Sequence, residues 1–495
     1  MNRLFFLLNI TIVIVLLIVA ALGYKYIKYD YIVNNYIFSK VKQNVKNELS
    51  GKDTKLQEIK LKLSDESLSL LEGYVQEKIE TGDSFGGDNK YVKGKIFSEG
   101  NTYDVKVRLR GDMVRNFNGG LLNSSLTIKS EEALWNSYDK FSLLRPIQEY
   151  YMYGYLYYEF MKSEGFVSPD FKLVKVKLNE SNNGVFIFQQ AFTKYLKNQS
   201  SSEDGFYLKF KNDCRNGMRS KTIERSPDLT VYQKKELKKD KERWALWKNI
   251  QAKYFLVETG KIKAGELFDI DAFAKFGAIS DLFLSHHSDI CHNVRMFYNP
   301  DSKMLEPIAW DPHLHDVVEI NRKDNLSLLY SNGPYNKTIF NLLYKDIGFI
   351  QSYEKYLIEY TKNGKLESFL DNENEYILSC EKLLVKGRTY SGVRNQKFID
   401  HINIIKDVLN QSKLTKSLID FDKNILMIKS KSEIPLIIEH IMVDDSVINI
   451  NERLFPNQLK EFSINIKKGQ KIKVVSKYNS IDSEKRIDKV VRILN

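Results

Sequence analysis

Two short polar segments near the middle of the chain flank a run of alternating apolar residues, and their residue types suit metal and phosphate chemistry. The first is Ser285-His286-His287-Ser288-Asp289-Ile290-Cys291-His292-Asn293; the second is Trp310-Asp311-Pro312-His313-Leu314-His315-Asp316. Together they hold five of the chain's seven histidines. The residues between them, Val294–Ala309, predict a β-hairpin: Val294–Tyr298, a turn at Asn299-Pro300-Asp301-Ser302, then Met304–Trp310. An antiparallel hairpin returns its second strand beside its first, so Asn293 at the entrance and Asp311 at the exit share one end. Asp289, one short turn upstream, adds a second carboxylate. Singly, loop Asp and Asn residues are turn formers and caps. It is the pairing of two polar segments across a hairpin that points to a site.

Asp289, Asn293 and Asp311 offer oxygen donors without thiolate, which suits Mg²⁺ or Mn²⁺. Phosphoryl transfer uses such parts: an Asp to accept the hydroxyl proton, an Asn and an Asp on the metal, and a Lys on the nucleotide phosphates. Protein kinases place them in the order Asp, Asn, strand pair, Asp. The order here is the same, with one residue fewer between the first Asp and the Asn. A second reading takes His286, His287, His292, His313 and His315 with Asp289, Asp311 and Asp316 as a zinc or two-metal hydrolase centre. In an extended segment His313 and His315 would share one side, although no His-Glu-x-x-His spacing accompanies them.

At 495 residues the chain predicts two or three folded units. Its 43% hydrophobic and 12% aromatic content is that of a globular protein. Leu4–Tyr24 is apolar but for Asn9 and Thr11. At about 1.5 Å per residue it is long enough to cross a hydrocarbon layer of about 30 Å, and it exceeds the apolar core of roughly 7–15 residues usual in cleaved signals. The expectation is a single-pass membrane anchor. Arg3 on one side and Lys25 with Lys28 on the other leave the positive-inside rule undecided. The long globular stretch that follows favours export of the bulk of the chain. Cys214, Cys291 and Cys380 are odd in number and far apart, which is no disulfide framework. The net charge of +12 suggests anionic headgroups, acidic glycans or phosphorylated ligands as partners. Nucleic acid is not expected, since an anchor opens the chain and no motif for it appears.

Residues 26–90 predict a membrane-proximal stalk. A β-rich stretch follows in Tyr91–Ser98, Tyr103–Arg110, Leu126–Lys129 and Phe141–Leu143. Gln148–Ser163 predicts a helix whose stripe Tyr151, Tyr155, Tyr158 and Met161 reads as packing. Phe171–Leu178 and Val185–Phe188 form a further hairpin. Tyr232–Glu258, Asp271–Ser285 with Asp271 as cap, Asn341–Leu370 and Glu373–Leu409 predict helices. In the basic run Lys234–Arg243 the charges alternate in sign as on a solvated helix face. Beyond Ser412, six short alternating runs predict an all-β sandwich over 413–495.

Several of these stretches together resemble one family. Val105-Lys-Val-Arg-Leu-Arg-Gly-Asp112, Ser125-Leu-Thr-Ile-Lys129, Phe141-Ser-Leu-Leu-Arg-Pro146, Lys175–Asn179 with Gly184-Val-Phe-Ile-Phe188, and His292-Asn-Val-Arg-Met-Phe-Tyr-Asn-Pro300 with Leu305-Glu-Pro-Ile308 are similar, in serial order, to the CotH (spore coat protein H) kinase-like family, in its membrane-anchored or exported bacterial branch. The resemblance implies an α+β chain with an atypical, two-lobed protein kinase-like core over 91–412, behind the anchor at 1–25 and ahead of the sandwich. It implies ATP and Mg²⁺ or Mn²⁺ as cofactors, with phosphoryl transfer to Ser or Thr. Asp289 would be the catalytic base, and Asn293 and Asp311 the metal ligands. Lys129 would meet the nucleotide phosphates, Lys209 being the second candidate, with Arg110 on phosphate too or at a strand end. The acceptor would be an envelope protein or polysaccharide. One departure matters: Gln189-Gln190 stands where relatives carry an acid, and a Gln cannot ion-pair with a lysine. Either another carboxylate such as Glu159 substitutes, or the chain is a pseudokinase or scaffold whose sandwich binds a glycan or partner.

Overall fold

The strands upstream of the second helix include two regular alternations of apolar and cationic residues, Ile59–Leu63 and Val105–Leu109, each of which gives its strand one face to bury. In the computed structural model, which describes residues 56–81, 90–98, 100–111, 117, 120–134, 138–146, 151–192, 205–210, 228–232, 234–289, 293–312, 339–385, 395–479, 486–489 and 492–494, they close into a barrel. Its strands are β1 (Glu58–Leu63), β2 (Val92–Ser98), β3 (Asn101–Leu109), β4 (Leu126–Leu134), β5 (Tyr138–Leu144), β6 (Phe171–Leu178) and β7 (Ser181–Gln190), in the order β1-β2-β3-β4-β5-β7-β6. Ile59, Leu61, Val107, Ile128, Phe141 and Phe188 fill the interior, and Leu71 and Val75 of α1 (Asp65–Thr81) join the same core.

This corrects the expected two-lobed kinase-like core. The seven strands form one closed barrel rather than an open lobe, because β1 pairs antiparallel with β2 and parallel with β6. Closure leaves no strand edge unpaired. The seam is locked by a side chain at 116 positions' remove. Asn179 Oδ1 accepts from Leu63 N at 2.8 Å, while its Nδ2 donates to Leu63 O at 3.2 Å. Asn179 adopts φ 52°, a conformation Asn tolerates better than most residues. The segment read as a stalk therefore carries more than a stalk: from Glu58 onward it supplies a barrel strand and the helix packed on it. The predicted anchor Leu4–Tyr24 lies outside the described residues. Among those described, no helix is long and apolar enough to cross a membrane.

The predicted hairpin is β10 (Arg295–Asn299) and β11 (Met304–Ile308), paired from Arg295↔Ile308 to Asn299↔Met304. It extends a second sheet, β11-β10-β8-β9, with β8 at Phe206–Phe210 and β9 at Leu229–Val231. The helices are α2 (Met152–Ser163), α3 (Lys241–Glu258), α4 (Ile270–Phe283), α5 (Ile347–Lys362), α6 (Lys365–Val385) and α7 (Asn395–Leu409). Their boundaries follow capping chemistry that the longer predicted helices miss. Asp240 accepts from Glu242 N and Arg243 N and so starts α3 inside the basic run. Asp269, rather than Asp271, caps α4 through Ala272 N at 3.0 Å. Gly364, at φ 60°, separates α5 from α6.

Two four-stranded sheets follow, β16-β13-β12-β19 and β15-β14-β17-β18, built from β12 (Thr415–Asp420), β13 (Ile425–Ser430), β14 (Leu436–Val443), β15 (Ser446–Leu454), β16 (Leu459–Ser463), β17 (Ile472–Tyr478), β18 (Arg486–Lys489) and β19 (Arg492–Leu494). Buried polar contacts hold this region to the helices. Tyr478 donates its hydroxyl to Val408 O at 2.7 Å, and Asn479 Nδ2 donates to Glu354 Oε1 at 2.9 Å. The chain divides into two compact units. One contains residues 57–372 and 394–495. The other groups residues 1–56 with 373–393, and the described part of the latter segment is helix to Val385.

Candidate functional site

Leaving β11, the chain turns through Asp311 at φ 49°, left-handed geometry for which Asp is among the more tolerant residues. Entering β10, it passes Asn293, which is buried. Both side chains meet His287, in the 3₁₀ turn His286–Asp289 that follows α4. Asn293 Nδ2 donates to the His287 carbonyl at 2.9 Å and lies 2.9 Å from Nδ1. Asp311 Oδ2 lies 3.6 Å from that same Nδ1, and the Asp311 carbonyl lies 3.2 Å from it. The hairpin thus brings the predicted amide and carboxylate to one atom. His287 also arbitrates between them. Protonated at Nδ1 it serves Asp311 as donor; unprotonated there it accepts from Asn293.

Behind Asp311 runs a relay of hydrogen bonds. Asp311 N donates to the Tyr158 hydroxyl oxygen at 3.0 Å, Gln189 Nε2 donates to the same oxygen at 3.1 Å, and Arg110 donates to Gln189 Oε1 at 3.1 Å. Tyr158 and Gln189 are buried, 0% and 3% exposed. Gln189 sits where the resemblance leads one to expect an acid, and here its amide does what a carboxylate cannot: it accepts from Arg110 and donates to Tyr158.

Arg110 belongs to a cationic wall on the outside of the barrel. Lys129 of β4 stands directly opposite Lys140 of β5. Burial, then Arg108, Lys129 and Arg110, hold the Lys140 ammonium below the ordinary lysine range. Lys209 stands apart from this wall. It lies on β8 opposite Arg295, with its ammonium 5.3 Å from the Tyr232 ring centre. Arg295 faces the rings of Phe192, Tyr232 and Trp310 at 5.8–6.0 Å. Burial raises the Tyr232 hydroxyl's pKa, and Arg295 partly offsets the rise. Glu159, the suggested substitute carboxylate, is taken by Lys162 at 2.8 Å.

The donor set fits a hard divalent cation in part. The Asp311 side chain is 36% exposed, and Asn293 spends its Nδ2 on His287, leaving Oδ1 as the remaining donor. Asp289 closes the 3₁₀ turn, but its side chain lies outside the described residues. So do His292, His313, His315 and Asp316 of the hydrolase reading. Among the described residues no group of three or more His, Cys, Asp and Glu side chains is placed to hold a metal.

The roles of four residues in this arrangement were not foreseen from the sequence. Tyr158 sits on a stripe read as packing, and nothing in its spacing separates it from its neighbours. His287 is one of five clustered histidines. Gln189 showed itself only as a departure from a pattern. Lys140 is a lone lysine in a strand, and only the strand register gives it company. A family model described as CotH kinase protein matches residues 107–413. No curated protein matches the chain.

Proposed function

The chain belongs to the CotH kinase protein family, and from that premise we propose that it transfers a phosphoryl group from ATP, with Mg²⁺ or Mn²⁺, to a hydroxyl of an envelope protein or polysaccharide. The single observation that carries this reading is the convergence of Asn293 and Asp311 on His287 at the mouth of the hairpin. Asn293 and Asp311 would hold the divalent ion, which supplies charge neutralisation on the phosphates. Lys129 and Arg110 would steady the phosphates from the barrel wall, with Lys209 the second candidate. Asp289 takes the proton of the acceptor hydroxyl as that oxygen bonds to the γ-phosphorus. The bond from the γ-phosphorus to the bridging oxygen breaks, and ADP leaves with the electron pair. The relay from Arg110 through Gln189 and Tyr158 holds the backbone of Asp311, fixing the direction in which its carboxylate points.

The Leu4–Tyr24 run would tether the domain to the membrane with its bulk outside the cytoplasm. Protease added to intact cells then degrades the chain down to the anchor; full protection would overturn that placement.

A second reading is favoured by Gln189 alone. With an amide engaged by Arg110 where an acid is expected, the chain would bind nucleotide and act as a scaffold without transfer. One experiment separates the two. The full-length protein and its Asp311→Ala variant are incubated with γ-labelled ATP and Mn²⁺ or Mg²⁺. Catalysis predicts label incorporation that falls by about 10²–10³ in the variant, the scale for removing a group that stabilises developing charge. Nucleotide binding with no label under either metal sinks catalysis and leaves the scaffold.

A further inference from the structure

Lysines stand side by side across the outer wall of the barrel. Lys93 of β2 lies opposite Lys106 of β3, Lys106 opposite Lys129 of β4, and Lys129 opposite Lys140 of β5. Directly opposed side chains have Cβ atoms about 4.5–5.5 Å apart, and like charges there are destabilising. With strands about 4.8 Å apart, the row runs on the order of 15 Å. Lys93, Lys106 and Lys129 are exposed, and Lys140 is half-buried. Lys93, Lys129 and Lys140 form no ion pair among the described residues, whereas Lys95 in the adjacent row has Asp104 opposite it at 3.8 Å. Beside the Lys129–Lys140 end stands Arg108, whose Nε is buried without a partner among the described residues. Cross-strand register normally alternates charge. Here one sign recurs on four neighbouring strands, with Asp139 acting on the Lys140 end.

We propose that this row is a binding track for a linear, flexible chain of phosphates, a polyphosphate-type anion lying across β2, β3, β4 and β5. The shape of the wall selects the occupant. The row crosses four of the seven strands of a closed barrel, so it follows a convex surface. A flat anionic membrane would meet only the crest of that curve, whereas a flexible chain bends along it. The described aromatic ring beside the row, Tyr91, is faced by the Arg108 guanidinium at 5.3 Å, so the row offers no series of open rings on which successive nucleic-acid bases could stack. Lys129 is shared with the nucleotide role proposed above. Lys93 and Lys106 are not, so the test uses them.

Binding of sodium polyphosphate to the full-length protein is measured by titration calorimetry over a series of salt concentrations, with orthophosphate and anionic phospholipid vesicles as the other probes. The expected result is tight, salt-sensitive polyphosphate binding and weak orthophosphate binding. Lys93→Gln/Lys106→Gln weakens polyphosphate at least tenfold and flattens its salt dependence. The same charge change at the exposed pair Lys467→Gln/Lys468→Gln shifts binding less than twofold. Circular dichroism checks that the ladder variant is folded; relief of repulsion is expected to hold or raise its Tm. If the double variant fails to fold, Lys93→Gln alone is expected to weaken binding about threefold. Equal loss in the ladder and control pairs overturns the track, because net charge alone then suffices. So does vesicle binding that depends on the ladder while polyphosphate binding does not. No phosphoryl transfer is measured, so a failed kinase reading leaves these outcomes untouched.

Discussion

Two polar networks begin on α2 and end differently. One begins at its C-cap, Glu164, whose side chain is 1% exposed. It accepts from the Tyr360 hydroxyl at 2.7 Å and faces Lys275 at 2.9 Å and Lys365 at 2.6 Å. The other begins at Tyr158 and ends on Asp311, whose side chain is 36% exposed. The first network is closed: a buried carboxylate is met by two ammonium groups and a hydroxyl, joining α2 to α4, α5 and α6. The second is more open: it fixes the backbone of an acid whose carboxylate stays partly exposed beside His287. A network closed around a buried carboxylate serves folding, whereas one that ends on a partly exposed carboxylate is also within reach of a ligand.

The largest test of that contrast is Glu164→Gln. Taking the charge from a buried site removes the partner of Lys275 and Lys365, and because those side chains are 24% and 45% exposed the cost is about 3 kcal/mol, the low end for a buried pair. Urea unfolding should record that loss, while label transfer per folded molecule stays within about twofold. An unchanged urea midpoint would show that the node is not structural. Next comes Tyr158→Phe, which removes the acceptor of Asp311 N and of Gln189 Nε2 in a buried setting, at about 1–3 kcal/mol. Its diagnostic readout is kinetic. If the relay positions Asp311, kcat falls and the metal concentration needed for half-maximal rate rises; a change in stability alone would reduce Tyr158 to packing.

The smallest effect is in pH. Although burial opposes it, the contacts with Lys365, Tyr360 and Lys275 hold the Glu164 carboxyl below its ordinary value of 4.5. A depressed folded-state pKa stabilises the fold fully above the ordinary value, and that contribution is lost as pH falls through the depressed one. The stability gap between wild type and Glu164→Gln is therefore expected to be flat near neutrality and to narrow below about pH 4.5. A gap that widens on acidification would reverse the sign of the argument.

How much was legible depended on distance along the chain. The hairpin could be read because β10 and β11 are joined by a short turn whose residues announce it, and Asn293 and Asp311 followed from hairpin geometry. Helix boundaries were less legible. Asp269 and Asp271 are equally good caps by type, and only the backbone amide each faces decides between them. Tyr158 was read as packing, and it is buried against Tyr157 and Phe171; its hydroxyl's partners do not appear in the periodicity of a stripe. The two-lobed core was the largest error. Glu58–Leu63 carries the same alternation as any short strand, and nothing local tells that it pairs with both β2 and β6.

The sequence by itself determined the local periods: where short alternating runs form strands and where the hairpin turns. Those follow from the two-residue repeat of an extended chain and from turn chemistry, which act over a few residues. The tertiary structure alone decided that the early strands close on themselves, that four outward lysines fall into one row, and that Tyr158 and His287 meet Asp311. Register and closure are set by contacts between segments far apart in the chain, where burial of the whole interior, rather than any residue's own preference, chooses the pairing.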